Sequence, residues 1–477
     1  MAASERVEGA RHRGAPPAPP VVVRRPAFVD TLAARWLLVA GVAMITFGYQ
    51  LTTPILLSIG VNMSDANFMI KAVTVGAFTL LAAGGLAGGK TFRMRGIILL
   101  AFMIILGARL LYDVMALDIL PIFQSKFYVL STYFALTIIP VFAILLVLHP
   151  KDMKRAHNAL YWLLVAANVA LVAYIATGGI ITSENVFAGR FEVRGDVEST
   201  SVLNPIGVGM VGASLASIAI GRLTALRSMN VPGQLFTLAM IILGIANMFT
   251  GGSRGPALGL AFVLLVTVYT LIRGLPGGGL IRPRMAMWIY GGVVAAAFAA
   301  IIVSQAMSIQ VFDRFTMMFE ARMAGGREER DYALETAFLD FLGSPFFGSG
   351  YLTSIGRQFP HNIVVDALMA TGVVGFAVFF VAMFWTGRGL LRMIHGHAGA
   401  HGFGIAMVAI CVLTLGMTSG AAVQSPDFWA VVAMVIVLGN VRRPPSAPTP
   451  SDAATAAPTG SSGSGPYAVR GPRARAS

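Results

Sequence analysis

His361 is followed by Asn362, nine further residues, Gly372, two more residues and Gly375. An imidazole is the side chain best matched to proton transfer near neutral pH, and the apolar run beginning at Asn362 puts this one at a helix mouth, beside water. The same pair also reads as a plain helix start, because Pro360 marks a turn and Asn is a favoured cap. Arginines gather at comparable places: Arg254 opens an apolar run, Arg327 and Arg330 lie in one long connecting segment, and Arg190 and Arg194 lie in another. A guanidinium offers a permanent charge and a forked donor set suited to phosphate oxygens. Arg254 also sits beside the outward-pointing N–H groups of a helix start, an anion-binding arrangement, or else it snorkels and fixes the helix end. A base and fixed cations at a membrane boundary are the parts needed for chemistry on a phosphate-bearing lipid.

The scaffold for these groups is a membrane domain. The chain of 477 residues is 56% hydrophobic and 12% charged, with a mean hydropathy of +0.75, far too apolar for a soluble protein of this length. Runs of about 17–25 apolar residues, enough to cross a bilayer core, occur near 36–58, 68–88, 96–117, 127–148, 158–178, 204–221, 234–250, 255–272, 285–305, 362–385, 402–424 and 427–440, the last being short. The expected fold is an all-α polytopic membrane protein of about 12 transmembrane helices. Its expected parts are a disordered tail over 1–30, spans 1–9 over 31–305, a large outer loop over 306–361, spans 10–12 over 362–443 and a second disordered tail over 444–477. Both tails are rich in Ala, Pro, Ser and Gly and poor in large apolar side chains. No cleavable signal is evident, so the first span is expected to remain as an anchor. The single cysteine, Cys411, falls within an apolar helix and reads as a packing residue.

Most of the 35 Lys and Arg residues lie in the two tails and in alternate loops, as cytoplasmic segments should. Both termini are therefore assigned to the cytoplasm, and the net charge of +14 reports topology and anionic lipid headgroups without requiring nucleic acid. The exceptions are Lys71, Arg109, Lys126, Arg190, Arg194, Arg254, Arg314, Arg322, Arg327, Arg330 and Arg357, most of them in outer loops near 179–203 and 306–361. The second loop is longer than an ordinary helix connection. Leu334, Phe338, Phe341 and Leu342 follow helical spacing, which predicts an amphipathic helix over 328–343 lying on the membrane surface; Phe312, Phe315, Phe319 and Met323 predict an extension of the ninth span. His361 is the one histidine of seven that this topology places outside.

Together these motifs resemble the O-antigen ligase and O-antigen polymerase superfamily over roughly 190–375. His361-Asn362 with Gly372 and Gly375 is similar to that family's His-Asn signature, and Ser253-Arg254-Gly255 looks like its Ser-Arg-Gly. Arg330, followed by Pro345, Gly348 and Gly350, resembles its Arg before a Pro-x-x-Gly-x-Gly turn, but Leu334 stands where the family has an aromatic residue, which leaves Arg327 as a rival. Arg194 with Asn204-Pro205 is a looser likeness, the last two residues being in inverted order, and Arg190 could serve instead.

The resemblance implies a bacterial inner-membrane glycosyltransferase working on the periplasmic face. Its donor would be an undecaprenyl-diphosphate-linked glycan, and its acceptor a hydroxyl of lipid A-core or of a similar glycan or lipid-linked molecule. It also implies His361, aided by Asn362, as the catalytic pair, arginines as the diphosphate clamp, inversion at the anomeric carbon, and no metal or cofactor. A polymerase joining lipid-linked repeat units would need the same groups. Asp366 would orient His361 or pair with an Arg, Gly372 and Gly375 would let a neighbouring helix approach closely, and the Gly348-Gly350 turn would shape the pocket rim. A transporter or lipid flippase is the rival of another class, but such proteins place charges near the bilayer midplane, whereas here they gather at the boundary.

Two further patterns lie outside these motifs. Gly84 to Thr91 fits the phosphate-loop pattern G-x-x-x-x-G-K-T but closes a membrane span instead of following a strand. Arg109 and Asp113 are spaced for an intrahelical ion pair.

Overall fold

The computed structural model describes residues 28–59, 63–122, 124–176, 193–194, 201–203, 205–223, 230–251, 253–273, 291, 320, 323–324, 327, 329–395 and 398–440. After a short turn at Phe28–Asp30, the helices are α1 (Leu32–Ser58), α2 (Met63–Ala87), α3 (Met94–Met115), α4 (Lys126–Val147, with a π-helical stretch at Phe134–Ile138) and α5 (Met153–Ala176). A small antiparallel pair follows, β1 (Val193–Arg194) and β2 (Ser201–Leu203), with Arg194 opposite Ser201. Then come α6 (Pro205–Leu223), α7 (Val231–Thr250), α8 (Arg254–Arg273), α9 (Glu329–Gly343), α10 (Ile363–Ile394), α11 (Gly399–Ser419) and α12 (Pro426–Leu438).

Among the described residues, nine helices are long and apolar enough to cross a membrane. Two shorter apolar helices coincide with expected spans at 255–272 and 427–440. The expected ninth span, its amphipathic extension at 312–323 for the most part, both tails apart from Phe28–Asp30 and Arg190 lie outside the described residues. The chain is thus a polytopic membrane protein, and β1 and β2 are the only strands among the described residues.

The core gathers on α6, α11 and α12. All residues from Phe428 to Leu438 are buried. At 1.5 Å per residue, a 13-residue helix spans only about 20 Å, less than the roughly 30 Å hydrocarbon core. Enclosure by neighbouring helices spares its ends from lipid. Helices α6 and α7 approach closely at Gly212 and Gly244, where an added Cβ on Gly244 would stand 2.7 Å from the Ala216 amide nitrogen. Buried Asn247 donates to Asn168 Oδ1 (2.8 Å) beside that contact.

Two sets of polar contacts mark the two ends of the bundle. At one end, Arg35 and Arg155 meet Asp152 (3.3 and 2.9 Å), Lys90 meets Asp30 (2.8 Å) and Arg95 donates to Asn440 (3.0 Å). At the other, Arg109, Asp113, Arg330, Asp366 and Gln424 make the contacts described below. The phosphate-loop-like segment lies at the first end and is a helix C-terminus: the amides of Gly88, Gly89 and Lys90 donate back to Gly84, Leu86 and Gly85. Those amides are consumed, so they form no backbone cradle of the phosphate-loop kind.

Candidate active site

His361 immediately precedes α10 with φ = 55°, in the left-handed region that a non-glycine residue seldom adopts. It is half-buried. Asn362 is the N-cap, its side-chain oxygen accepting from the amides of Val364 (3.0 Å) and Val365 (3.2 Å). The cap fixes where α10 begins, and with it the backbone that carries the imidazole.

The other motif residues arrive at the same end of α11. Arg330, near the start of α9, donates from Nη1 to the Thr418 carbonyl (3.2 Å). That contact places a cation against the negative end of the α11 dipole. Gly255, next to Arg254 at the start of α8, packs on the same residue: a Cβ there would lie 2.7 Å from Thr418 Oγ1 and 2.8 Å from Leu415. Ile363 occupies the space that a side chain at Gly416 or Gly420 would need. Segments near 254, 330 and 361 therefore all contact residues 415–420. Arg254 itself is exposed at that surface.

The rival arginines separate. Arg327 is exposed, pairs with Glu335 (3.0 Å) and lies over the Tyr332 ring (5.5 Å), all on the segment of α9 itself. Arg330 instead reaches across to α11. Arg194 is placed by its backbone in β1.

Two expectations are corrected. Gly372 and Gly375 are not a pair of small residues on a straight helix: Gly372 has φ = 61° and ψ = −168°, a break within α10. The turn at Pro345–Gly350 docks into that break. Ser349 donates its amide to the Met369 carbonyl (2.9 Å), and Val373 donates to the Pro345 carbonyl (2.8 Å). The extended ψ frees backbone groups that a continuous helix would use, and the turn takes them up. Gly348, at φ = 80°, lies against the Met369 and Ala370 carbonyls, where a side chain would collide. The two glycine motifs thus form one joint.

Asp366 neither orients His361 nor pairs with an Arg among the described residues. Fully buried, it accepts the Ala422 amide through Oδ2 (2.6 Å) and so holds the turn between α11 and α12. Trp429 donates to the Ala422 carbonyl (2.7 Å) from the other side.

The large apolar residues of α9 are not its protein-packed face. Ala333 and Ala337 are the buried residues, and α9 packs on α10, while Phe338 and Leu342 remain exposed beside Phe346 and Phe347. In a membrane protein the small face can pack on protein and the large apolar face can meet lipid, because lipid tails are as apolar as Leu.

Arg109 and Asp113 form the expected ion pair (2.9 Å), but their larger task was not read from the spacing. Arg109 donates to the carbonyls of Gly348 (3.2 Å) and Ser349, and Asp113 accepts the Tyr351 amide (3.0 Å). The Tyr351 hydroxyl donates to the Ile119 carbonyl (2.8 Å), and burial, then the Asp113 carboxylate, raise its pKa above the usual phenol range. Ionisable groups within a membrane helix were the available signal. Thr418 offered none, being an ordinary short polar residue at a helix end.

No protein-family model matches the chain, and no curated protein matches it in sequence.

Proposed function

We propose that this chain is a membrane glycosyltransferase that moves a glycan from an undecaprenyl-diphosphate carrier to an acceptor hydroxyl, as do the O-antigen ligases it resembles. The observation that carries the reading is the meeting of the His361, Arg330 and Arg254 segments on residues 415–420 of α11, although they are far apart in sequence. In the proposed reaction His361 takes the hydroxyl proton as that oxygen bonds to the anomeric carbon. The bond from that carbon to the diphosphate oxygen breaks, and its electron pair leaves with the diphosphate. Arg254 and Arg330 offset the charge that develops there, and attack opposite the leaving group inverts the anomeric centre. The charge distribution along the chain favours placing this end on the outer face of a bacterial cytoplasmic membrane, with both termini inside.

The test is glycan transfer by purified protein in proteoliposomes, supplied with an undecaprenyl-diphosphate glycan and a series of acceptors. Transfer that is lost in folded His361→Asn protein supports the proposal, and the productive acceptor separates ligase from polymerase. Unchanged transfer by that variant removes His361 as the base. Movement of lipid across the bilayer by the wild type, with no transfer to any acceptor, replaces the enzyme reading with a flippase.

A further inference from the structure

At the end of the bundle opposite His361, a cavity of about 270 Å³ opens between the ends of α1, α2, α3, α4 and α12. Its ionisable lining is Arg35, Lys90, Arg93, Arg95, His149 and Asp30, four cations against one carboxylate. Its apolar lining includes Leu145, Leu146 and Val437. The volume falls just below the roughly 300–1,000 Å³ of clefts that hold drug-sized ligands, so it suits a headgroup better than a nucleotide.

The carboxylates nearby do not neutralise these cations. Asp30 takes Lys90 at 2.8 Å and Arg35 more distantly at 3.8 Å, while buried Asp152 draws Arg35 (3.3 Å) and Arg155 (2.9 Å). Among the described residues, no carboxylate pairs with Arg93 or Arg95. Arg95 is held in place by the Asn440 side chain (3.0 Å) and by the Trp385 ring (4.2 Å). His149 accepts the Lys151 amide through Nδ1 (3.2 Å), which fixes it as a neutral ring with a donor at Nε2. Burial first, and then the charges of Arg93 and Lys151, hold its pKa below the usual imidazole range. The local field is positive beyond what the surrounding acids offset.

We propose that this cavity binds a phosphate group, presented by an anionic phospholipid headgroup or by free phosphate, with Lys90, Arg93 and Arg95 as its cationic ligands and the apolar lining receiving the adjoining glycerol or acyl carbons. Basic pockets between membrane helices take lipid headgroups by this combination of charge and apolar wall. The site is independent of the chemistry at His361.

Thermal unfolding of the delipidated full-length protein in dodecyl maltoside tests it, with phosphatidylglycerol, phosphatidylcholine or inorganic phosphate added. A ligand that binds the folded state raises the Tm in a saturable way. The expected result is a rise with phosphatidylglycerol and none with phosphatidylcholine, together with an affinity weakened about fivefold in Arg93→Gln. Arg93 is exposed, which spares the fold. An equal rise with inorganic phosphate, also weakened in Arg93→Gln, supports the phosphate site and assigns it to the free anion. The control is Lys154→Gln, on the same basic end but outside the cavity lining. Equal weakening by Lys154→Gln overturns the proposal in favour of diffuse surface charge, and the absence of any anion-dependent rise overturns it outright.

Discussion

At the residue scale, His361 and Asn362 divide one position into two jobs. Asn362 spends its side-chain oxygen on two backbone amides, so its part is to fix the helix start that carries the neighbouring imidazole. His361 holds a left-handed backbone, which determines the variant that can test it. Asn enters that region more readily than most residues, so His361→Asn should keep the wild-type Tm within a few degrees. Loss of a general base costs about 10²–10⁴-fold, and turnover in the proteoliposome assay should fall by that range; a fall under threefold would remove the base. Arg109 and Asp113 present a separate residue-level case. Asp113 is fully buried, so Arg109→Gln leaves a carboxylate without its cation and two loop carbonyls without their donor. The expected loss is about 3–5 kcal/mol, as for other broken buried pairs. Adding Asp113→Asn should recover part of the Tm in the same detergent, and no recovery would mean that the carbonyl contacts dominate.

At the element scale, α9 and α10 show how far the sequence can be read. Helical spacing located α9 almost to its ends, because periodicity depends only on local order. The face that packs on protein was not legible in the spacing: the large apolar stripe signals contact with something apolar, and lipid serves as well as protein. The break in α10 left no trace in hydropathy, since a glycine suits both a helix contact and a kink. The spacing His-Asn to Gly-x-x-Gly was legible, yet its meaning depended on a turn some 25 residues upstream in the chain, Pro345–Gly350, that fills the break. Likewise the tie from Asp366 to Ala422 is tertiary and has no local signature. Gly372→Ala should therefore be far more damaging than the same change at Gly387 of α10. Its φ and ψ belong to a region essentially restricted to glycine, and a Cβ would overlap the Phe346 backbone. We expect a loss of at least about 1–3 kcal/mol from the conformation alone, read as a lowered Tm and a smaller folded fraction on size-exclusion chromatography. Gly387→Ala, in open space on the same helix, is the control and should leave the Tm unchanged or slightly raised. Equal effects of the two would show that the turn does not depend on the kink.

At the scale of the whole molecule, the polar contacts sort the loops into two ends, and the sorting matches the charge asymmetry of the sequence. Arg35, Lys90, Arg95, Asp152 and Arg392 meet at one end, the last donating to Asn440 (3.4 Å). Gln124 and Gln424 meet at the other (2.6 Å), with Arg109 on Gly348 and Arg330 on Thr418. Two independent properties, the composition of the loops and the contacts between them, thus divide the chain at the same boundaries. Under the rule that Lys- and Arg-rich loops stay in the cytoplasm, the proposed orientation has His361 outside. The native cysteine simplifies the test, since Cys411 is free and buried, and Cys411→Ser supplies a background for single cysteines. Ile355, 74% exposed beside the His361 end, and Thr91, exposed at the basic end, are the reporters. In intact cells a membrane-impermeant maleimide should label Ile355→Cys and spare Thr91→Cys, which should react only once the membrane is opened. The reverse pattern would place His361 and its arginines in the cytoplasm, where a transferase acting on exported lipid-linked glycans has no substrate, and the proposed function would fall with the topology.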